Sequence, residues 1–117
     1  MSAETIGVLG AGLMGHGIAQ VFAAAGHPVV MVDADPTAFD RARAKIRQNL
    51  DLLVEYEWLD AAAADAVLPR IGTSTDLAAL APADLIIEAV AEDAEVKRNV
   101  YGNLAPHLRP ETILATN

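Results

Sequence analysis

Residues 6–33 read IGVLGAGLMGHGIAQVFAAAGHPVVMVD, and the way this apolar, glycine-rich run is divided decides the fold. From Ile6 to Ala25 only His16 and Gln20 are clearly polar, a length that nearly crosses a bilayer. Five glycines (Gly7, Gly10, Gly12, Gly15 and Gly17) crowd one half of it, and no Lys or Arg precedes Arg41. A membrane helix or a secretory signal needs basic flanks, so neither is expected. The run divides instead into three elements. Thr5 to Leu9 is a short buried strand that meets glycines at once. From Met14 onward, Ile18, Val21, Phe22 and Ala25 give a helical stripe that ends at a cap glycine, Gly26. PVVMVD, residues 28–33, is a second apolar strand closed by an acid. Strand, glycine turn, helix and strand make one βαβ unit.

The whole chain of 117 residues, 53% hydrophobic and 21% charged, suits one domain with one core. Its formal charge of -8 argues against a broad face for nucleic-acid phosphates. The absence of cysteine excludes disulfides and thiolate chemistry and fits a reducing compartment, so a cytoplasmic location is expected.

Beyond Asp33 the pattern continues to alternate. Asp35-Pro36 opens a long helix whose Phe39, Ala42, Ile46, Leu50 and Leu53 bury one face. A second helix is predicted from a cap at Asp60 to near Pro69, so that a helical hairpin stands where a plain crossover needs one helix. Residues 71–75 form a weak strand, and 76–80 a helical turn. LIIEAV, residues 85–90, lacks alternation and reads as a strand buried on both faces. Residues 93–104 carry Val96, Val100 and Leu104 at helical spacing, and residues 112–115 form the last strand. The order predicts an α/β fold: a Rossmann-type, doubly wound parallel sheet with a helical hairpin inserted after the second strand.

Gly10-Ala11-Gly12-Leu13-Met14-Gly15 has GxGxxG spacing between a strand and a helix. In that context Gly10 permits the tight turn, Gly12 removes the Cβ that would block a pyrophosphate, and Gly15 lets helix and strand pack closely. The helix start offers unpaired amides and the positive end of its dipole, so an acidic protein can hold an anion without lysine. Asp33 follows 18 residues after Gly15, where a carboxylate can accept from adenosine ribose hydroxyls; a simple turn cap is the plainer role. Asp33 and Asp35 would repel a 2′-phosphate, which favours NAD over NADP. His16 falls beside the proposed pyrophosphate and reads as an exposed or spacer residue, with contact to a phosphate as the alternative. With His27 and His107 on separate elements, no metal site is visible. Arg41, Arg43, Lys45 and Arg47 crowd one half of the long helix and read as a solvated face, with an anion-binding surface as the alternative.

GAGLMGHGIAQ, EAVAED with the following VK, and the terminal ATN together resemble the NAD-binding domain of the 3-hydroxyacyl-CoA dehydrogenase family, over nearly all the chain. The resemblance implies that Gly10, Gly12, Leu13, Met14 and Gly15 wrap the pyrophosphate and that Asp33 holds the adenosine ribose. It also implies that Glu92 and Lys97 lie near the nicotinamide half, with Asn117 closing the cofactor-binding set.

Such enzymes oxidise the 3-hydroxyl of an L-3-hydroxyacyl-CoA with a histidine–glutamate pair and a catalytic serine, all of which would lie beyond Asn117. The expectation is therefore a cofactor domain, inactive alone, with no catalytic residue of its own and with apolar surface that favours self-association. Acyl-CoA is the substrate the resemblance implies for a complete enzyme. Family positions that meet the CoA moiety fall on Asn49 and Tyr56, and Tyr56 lacks the positive charge usual there. Alternatives are a stand-alone nucleotide-binding or regulatory module, or a dehydrogenase of a related hydroxy acid without CoA.

Overall fold

The structure is a computed structural model that describes residues 3–90 and 93–116. Five strands, β1 (Ile6–Leu9), β2 (Val29–Val32), β3 (Ile71–Ser74), β4 (Leu85–Glu88) and β5 (Ile113–Thr116), form one sheet in the order β3-β2-β1-β4-β5. All four pairings are parallel. The helices are α1 (Leu13–Ala24), α2 (Thr37–Glu55), α3 (Ala61–Asp65) and α4 (Ala94–Leu104), with 3-10 turns at 68–70, 77–80 and 105–107. Among the described residues no helix is long and apolar enough to cross a membrane.

Register places Ile6, Val29, Ile71, Leu85 and Ile113 side by side on one face of the sheet. Helices α1 and α2 cover that face over β1 and β2, where Val8, Met31, Ile46 and Leu50 are wholly buried. The α2 stripe follows the sequence pattern: Phe39, Ala42, Ile46 and Leu50 are buried. The α1 stripe follows it only in part: Ile18 and Phe22 are half-buried against the core, but Gly15, His16, Ala19 and Ala23 face inward, whereas Val21 is 65% exposed. Small residues at helical spacing let α1 sit close to the strands, which a bulkier side chain such as Val21 on that face would prevent.

Strand β4 departs from the expectation too. Ile86 and Glu88 are buried, but Leu85 and Ile87 are only half-buried. Ile113 and Leu114 on β5 are exposed. Among the described residues no helix lies over this part of the sheet. A groove runs there between Ile87 and the outer flank of α1, lined by Leu13, Met14, Ile18, Val21 and Phe22.

The inserted hairpin is present, but its second arm is shorter than predicted. α3 ends at Asp65, and a 3-10 turn over Leu68–Arg70 carries the chain into β3. Pro69 has no amide to continue an α-helix. Asp60 occupies the cap position without a side-chain bond to the helix. At the starts of α2 and α4, Asp35 Oδ1 accepts from Thr37 N at 3.0 Å, and Asp93 Oδ1 accepts from Glu95 N at 2.9 Å and Val96 N at 3.1 Å. The turn after α2 closes with Trp58 N donating to Leu53 O at 2.9 Å, and puts Glu57 at φ 61°. That left-handed position is where glycine is usual in such a cap.

Asp84 joins the amino ends of three strands. Its carboxylate accepts from Thr5 N at 2.8 Å and from Arg109 at 3.1 Å, while its carbonyl accepts from Ile113 N at 3.0 Å. The Thr5 amide, and then Arg109, hold the Asp84 carboxyl below its ordinary pKa. A lowered folded-state pKa stabilises above the unfolded value, about 3.9, and the effect is lost as pH falls through the folded one. Asp84→Asn is therefore expected to lower Tm by a few degrees at pH 7 and by less at pH 3. An equal deficit at both pH values in thermal melts would contradict the assignment.

Candidate dinucleotide site

The glycine turn is held by β2 and β4 on either side of it. Gly10 N donates to Val32 O at 2.7 Å, and Ala89 N donates to Leu9 O at 2.8 Å. Gly10 has φ +109°, and a Cβ there would stand 2.7 Å from Ala89 O. A Cβ on Gly15 would overlap the Gly10 carbonyl oxygen. These two glycines are thus demanded by the fold itself. Gly12 is different, since an added Cβ would meet nothing within 4 Å. No packing contact explains glycine there, and the position leaves bare backbone open to a ligand. Gly12 precedes α1, provides no side-chain cap, and no acid stands in the first helical turn. The first amides of α1 therefore face outward, as an anion site requires.

Asp33 lies immediately beyond β2. Its Oδ2 accepts from Ala11 N at 2.8 Å and its Oδ1 from Asp35 N at 2.9 Å. These bonds tie the glycine turn to the end of β2 and aim the carboxylate at the crevice. Each oxygen keeps a second lone pair for a ribose hydroxyl. A cavity of about 580 Å³ opens here, lined by Gly10, Gly12 and Asp33 on one side and by Val90, Val96 and Asn103 on the other. This volume is within the range of small-molecule and cofactor sites. It lies at the carboxyl edge, where β1 passes to β2 on one side and β4 on the other, the switch point at which doubly wound sheets bind ligands.

Glu88, the last residue of β4, is fully buried beneath the far side of this cavity. Its Oε2 accepts from Val90 N at 2.8 Å, and its Oε1 from Tyr101 Oη at 2.8 Å and Thr116 Oγ1 at 2.9 Å. Lys97 Nζ stands 3.3 Å from Oε1. Burial works to raise the Glu88 pKa, but the bonds from Tyr101, Val90, Thr116 and Lys97 outweigh it and hold the carboxyl below the ordinary value. Sequence reading passed over Glu88, Tyr101 and Thr116. The available signal was an acid ending the apolar run LIIE, in parallel with Asp33 after VVMV.

The remaining expected residues are dispersed. Leu13 and Met14 line the groove beside Ile87, and Leu13 also borders the pocket formed by Ala11, Gly12 and His16 at the glycine turn. Lys97 bonds to Glu88, while its helix neighbours Val96, Asn99 and Val100 line the cavity. Glu92 and Asn117 lie outside the described residues. Asn49 bonds to Gln20 at 3.0 Å, joining α2 to α1, and Tyr56 is 64% exposed beside Trp58. Neither lines the cavity.

His16 is not an exposed spacer. It is 7% exposed, and its Nδ1 donates to Gly12 O at 3.0 Å, bracing the turn from within. In the basic half of α2, Arg43 reaches Thr73 on β3 at 3.1 Å, and Arg47 pairs with Asp51 at 2.9 Å and Asp65 at 3.5 Å. Arg43 thus ties the hairpin to the sheet, and Arg47 joins the hairpin's two arms.

The strand order, the glycine turn and the acid beyond β2 define a dinucleotide-binding domain of the Rossmann type. The family model described as 3-hydroxyacyl-CoA dehydrogenase, NAD binding domain, matches residues 5–117, and the chain belongs to that family. The cofactor of the family is NAD. The chain is 40% identical over 117 residues to the 3-hydroxyadipyl-CoA dehydrogenase of Escherichia coli K12, covering 100% of this chain and 25% of that protein. Among solved structures it resembles 3-hydroxybutyryl-CoA dehydrogenase from E. coli K12, with a TM-score of 0.93, 40% identity and coverage of 100% and 25%. It also resembles (S)-3-hydroxybutyryl-CoA dehydrogenase from Ralstonia eutropha, with a TM-score of 0.93, 36% identity and coverage of 99% and 41%. The chain thus spans between a quarter and about two fifths of the length of these relatives.

Proposed function

We propose that the chain supplies the cofactor half of an NAD-dependent L-3-hydroxyacyl-CoA dehydrogenase. The observation that carries this reading is the open approach over Gly12, with the uncapped start of α1 on one side and the Asp33 carboxylate on the other. In the proposed complex the α1 amides bind the pyrophosphate across Gly10, Gly12, Leu13, Met14 and Gly15. Asp33 accepts from the adenosine ribose, Glu92 and Lys97 serve the nicotinamide end, and Asn117 completes the cofactor-binding set. Asn49 and Tyr56 are the proposed contacts for the CoA moiety, on family likeness. When bound, NAD supplies a hydride acceptor for the 3-hydroxyl carbon.

The chain's own histidines do not serve as a base for that reaction. His16 is braced under the glycine turn, His27 bonds to Glu4 O at 2.9 Å, and His107 belongs to the 3-10 turn after α4. The 117-residue chain is accordingly expected to turn over no substrate. The cytoplasm is the proposed location, in keeping with the absence of cysteine.

Calorimetry with NAD and NADP tests the cofactor assignment. NAD is expected to bind at least about tenfold more tightly than NADP, because a 2′-phosphate would meet Asp33 and Asp35. Asp33→Ala is expected to weaken NAD by about 10- to 100-fold, the range for hydrogen bonds to a charged group. Equal affinity for the two cofactors, or an Asp33→Ala chain that binds NAD like the parent, would refute the assignment.

Self-association is proposed through the bare apolar surface of Leu13, Met14, Val21, Ile113 and Leu114, which are 40–78% exposed. Light scattering should show mass rising with concentration. A constant monomer mass up to millimolar concentration would count against it.

A further inference from the structure

Helix α4 forms one wall of the cavity, through Val96, Asn99, Val100 and Asn103, yet little apolar surface holds it there. Leu104, its last residue, is its one buried residue. Val96 is 42% exposed, and apart from Leu104 and the half-buried Val100, which join the cluster of Leu9, Val32 and Ile86, the helix packs chiefly against the 3-10 turns at 77–80 and 105–107. Its firm attachment to the sheet is polar. Lys97 and Tyr101, one helical turn apart on the same face, both reach Glu88 at the end of β4. The same carboxylate takes Thr116 Oγ1 from the end of β5 and Val90 N from the chain leaving β4. One buried group thus fixes three segments that border the crevice.

The site already described, on which this inference rests, orients the ligand. Asp33 stands beyond β2, and the pyrophosphate belongs at α1, so the second mononucleotide must extend over the carboxyl ends of β4 and β5. That is the side Glu88 governs. We propose that Glu88 is a positioning residue that sets α4 and the β4 and β5 exits for the nicotinamide half of NAD, without touching the cofactor itself. A buried ion pair contributes little net stability compared with an apolar substitute, and its best-attested use is to select one arrangement. Here the arrangement selected is the docking of an otherwise weakly held helix. The adenosine half, held by α1 and Asp33, is independent of it.

The test compares NAD with ADP, which carries the adenosine and both phosphates but lacks the nicotinamide half. Glu88→Gln keeps the shape and removes the charge. It is expected to weaken NAD about tenfold and to leave ADP within about twofold. Tyr101→Phe and Thr116→Val, which delete single donors and leave the charge in place, should shift NAD alone by about threefold each. Hydrogen exchange on the ligand-free chain should show lost protection in α4, with α1 and α2 unchanged. Equal loss for NAD and ADP would mean general loosening and overturn the proposal, as would unaltered NAD affinity or unaltered α4 exchange. If Glu88→Gln does not fold, the Tyr101 and Thr116 variants decide the matter by the same criteria. A parent chain that bound neither ligand would refute the cofactor reading, while the exchange measurement would still test the clamp.

Discussion

Gly12→Val is expected to bind NAD at least about 100-fold more weakly than the parent, a loss of about 2.7 kcal/mol, while melting within about 2 °C of it. The two halves of this result have separate causes. A Cβ at Gly12 meets no protein atom within 4 Å, and the residue's backbone is extended at φ -77° and ψ -156°, which valine adopts without strain. The folded chain therefore offers no clash at Cβ to resist the substitution. The space the valine would fill is the approach to the first amides of α1, where a phosphate oxygen must come within about 3 Å of nitrogen. Calorimetry paired with a thermal melt checks both halves. Parental NAD affinity in Gly12→Val would remove the case for a pyrophosphate site at this turn.

Gly15→Ala is expected to do the opposite and damage the fold before the ligand is considered. The single added methyl would overlap the carbonyl oxygen of Gly10, a backbone atom in a turn fixed by the bond from its own amide to Val32 O at 2.7 Å. Overpacking against a side chain can be relieved by a rotamer change, but here α1 must move off the sheet. A loss of about 3 kcal/mol is expected, the upper end for overpacked cores, or a fall in Tm of about 12 °C or more for a domain of this size. Denaturant melts check it, and a Tm within about 2 °C of the parent would show that the turn yields more easily than its geometry implies. Together the two variants separate a glycine kept for the ligand from one kept for the fold, within a single GxGxxG.

Much of this architecture was readable because the relevant signals are local. The βαβ unit over residues 6–33 follows from a short apolar run, glycines and a second run ended by an acid, and every one of those features acts within a few residues. The buried face of α2 was legible because Phe39, Ile46 and Leu50 alternate with charged neighbours. α1 was misread for a complementary reason. Its side chains are apolar on nearly every face, so periodicity cannot tell which face turns inward, and closeness to the strands selected Gly15, Ala19 and Ala23 over Val21. The burial of His16 escaped notice on the same account, since a polar residue in the first turn reads as solvated until Gly12 O is known to receive its proton. Half-burial of Leu85 and Ile87 could not be inferred from LIIEAV, because an apolar strand carries no record of whether a helix covers it.

By itself, then, the sequence determined the element order, the parallel sheet it requires, the glycine turn and the acid that follows β2, since each depends on backbone sterics and short-range hydrogen bonding. Only the tertiary structure decided which glycine answers to the fold and which is left open. It alone placed Glu88 under Lys97, Tyr101 and Thr116, the last two 13 and 28 residues away in the chain. Contacts over such separations arise from how crossovers bring strand ends and helices to one edge, and no local pattern of residue types encodes that meeting.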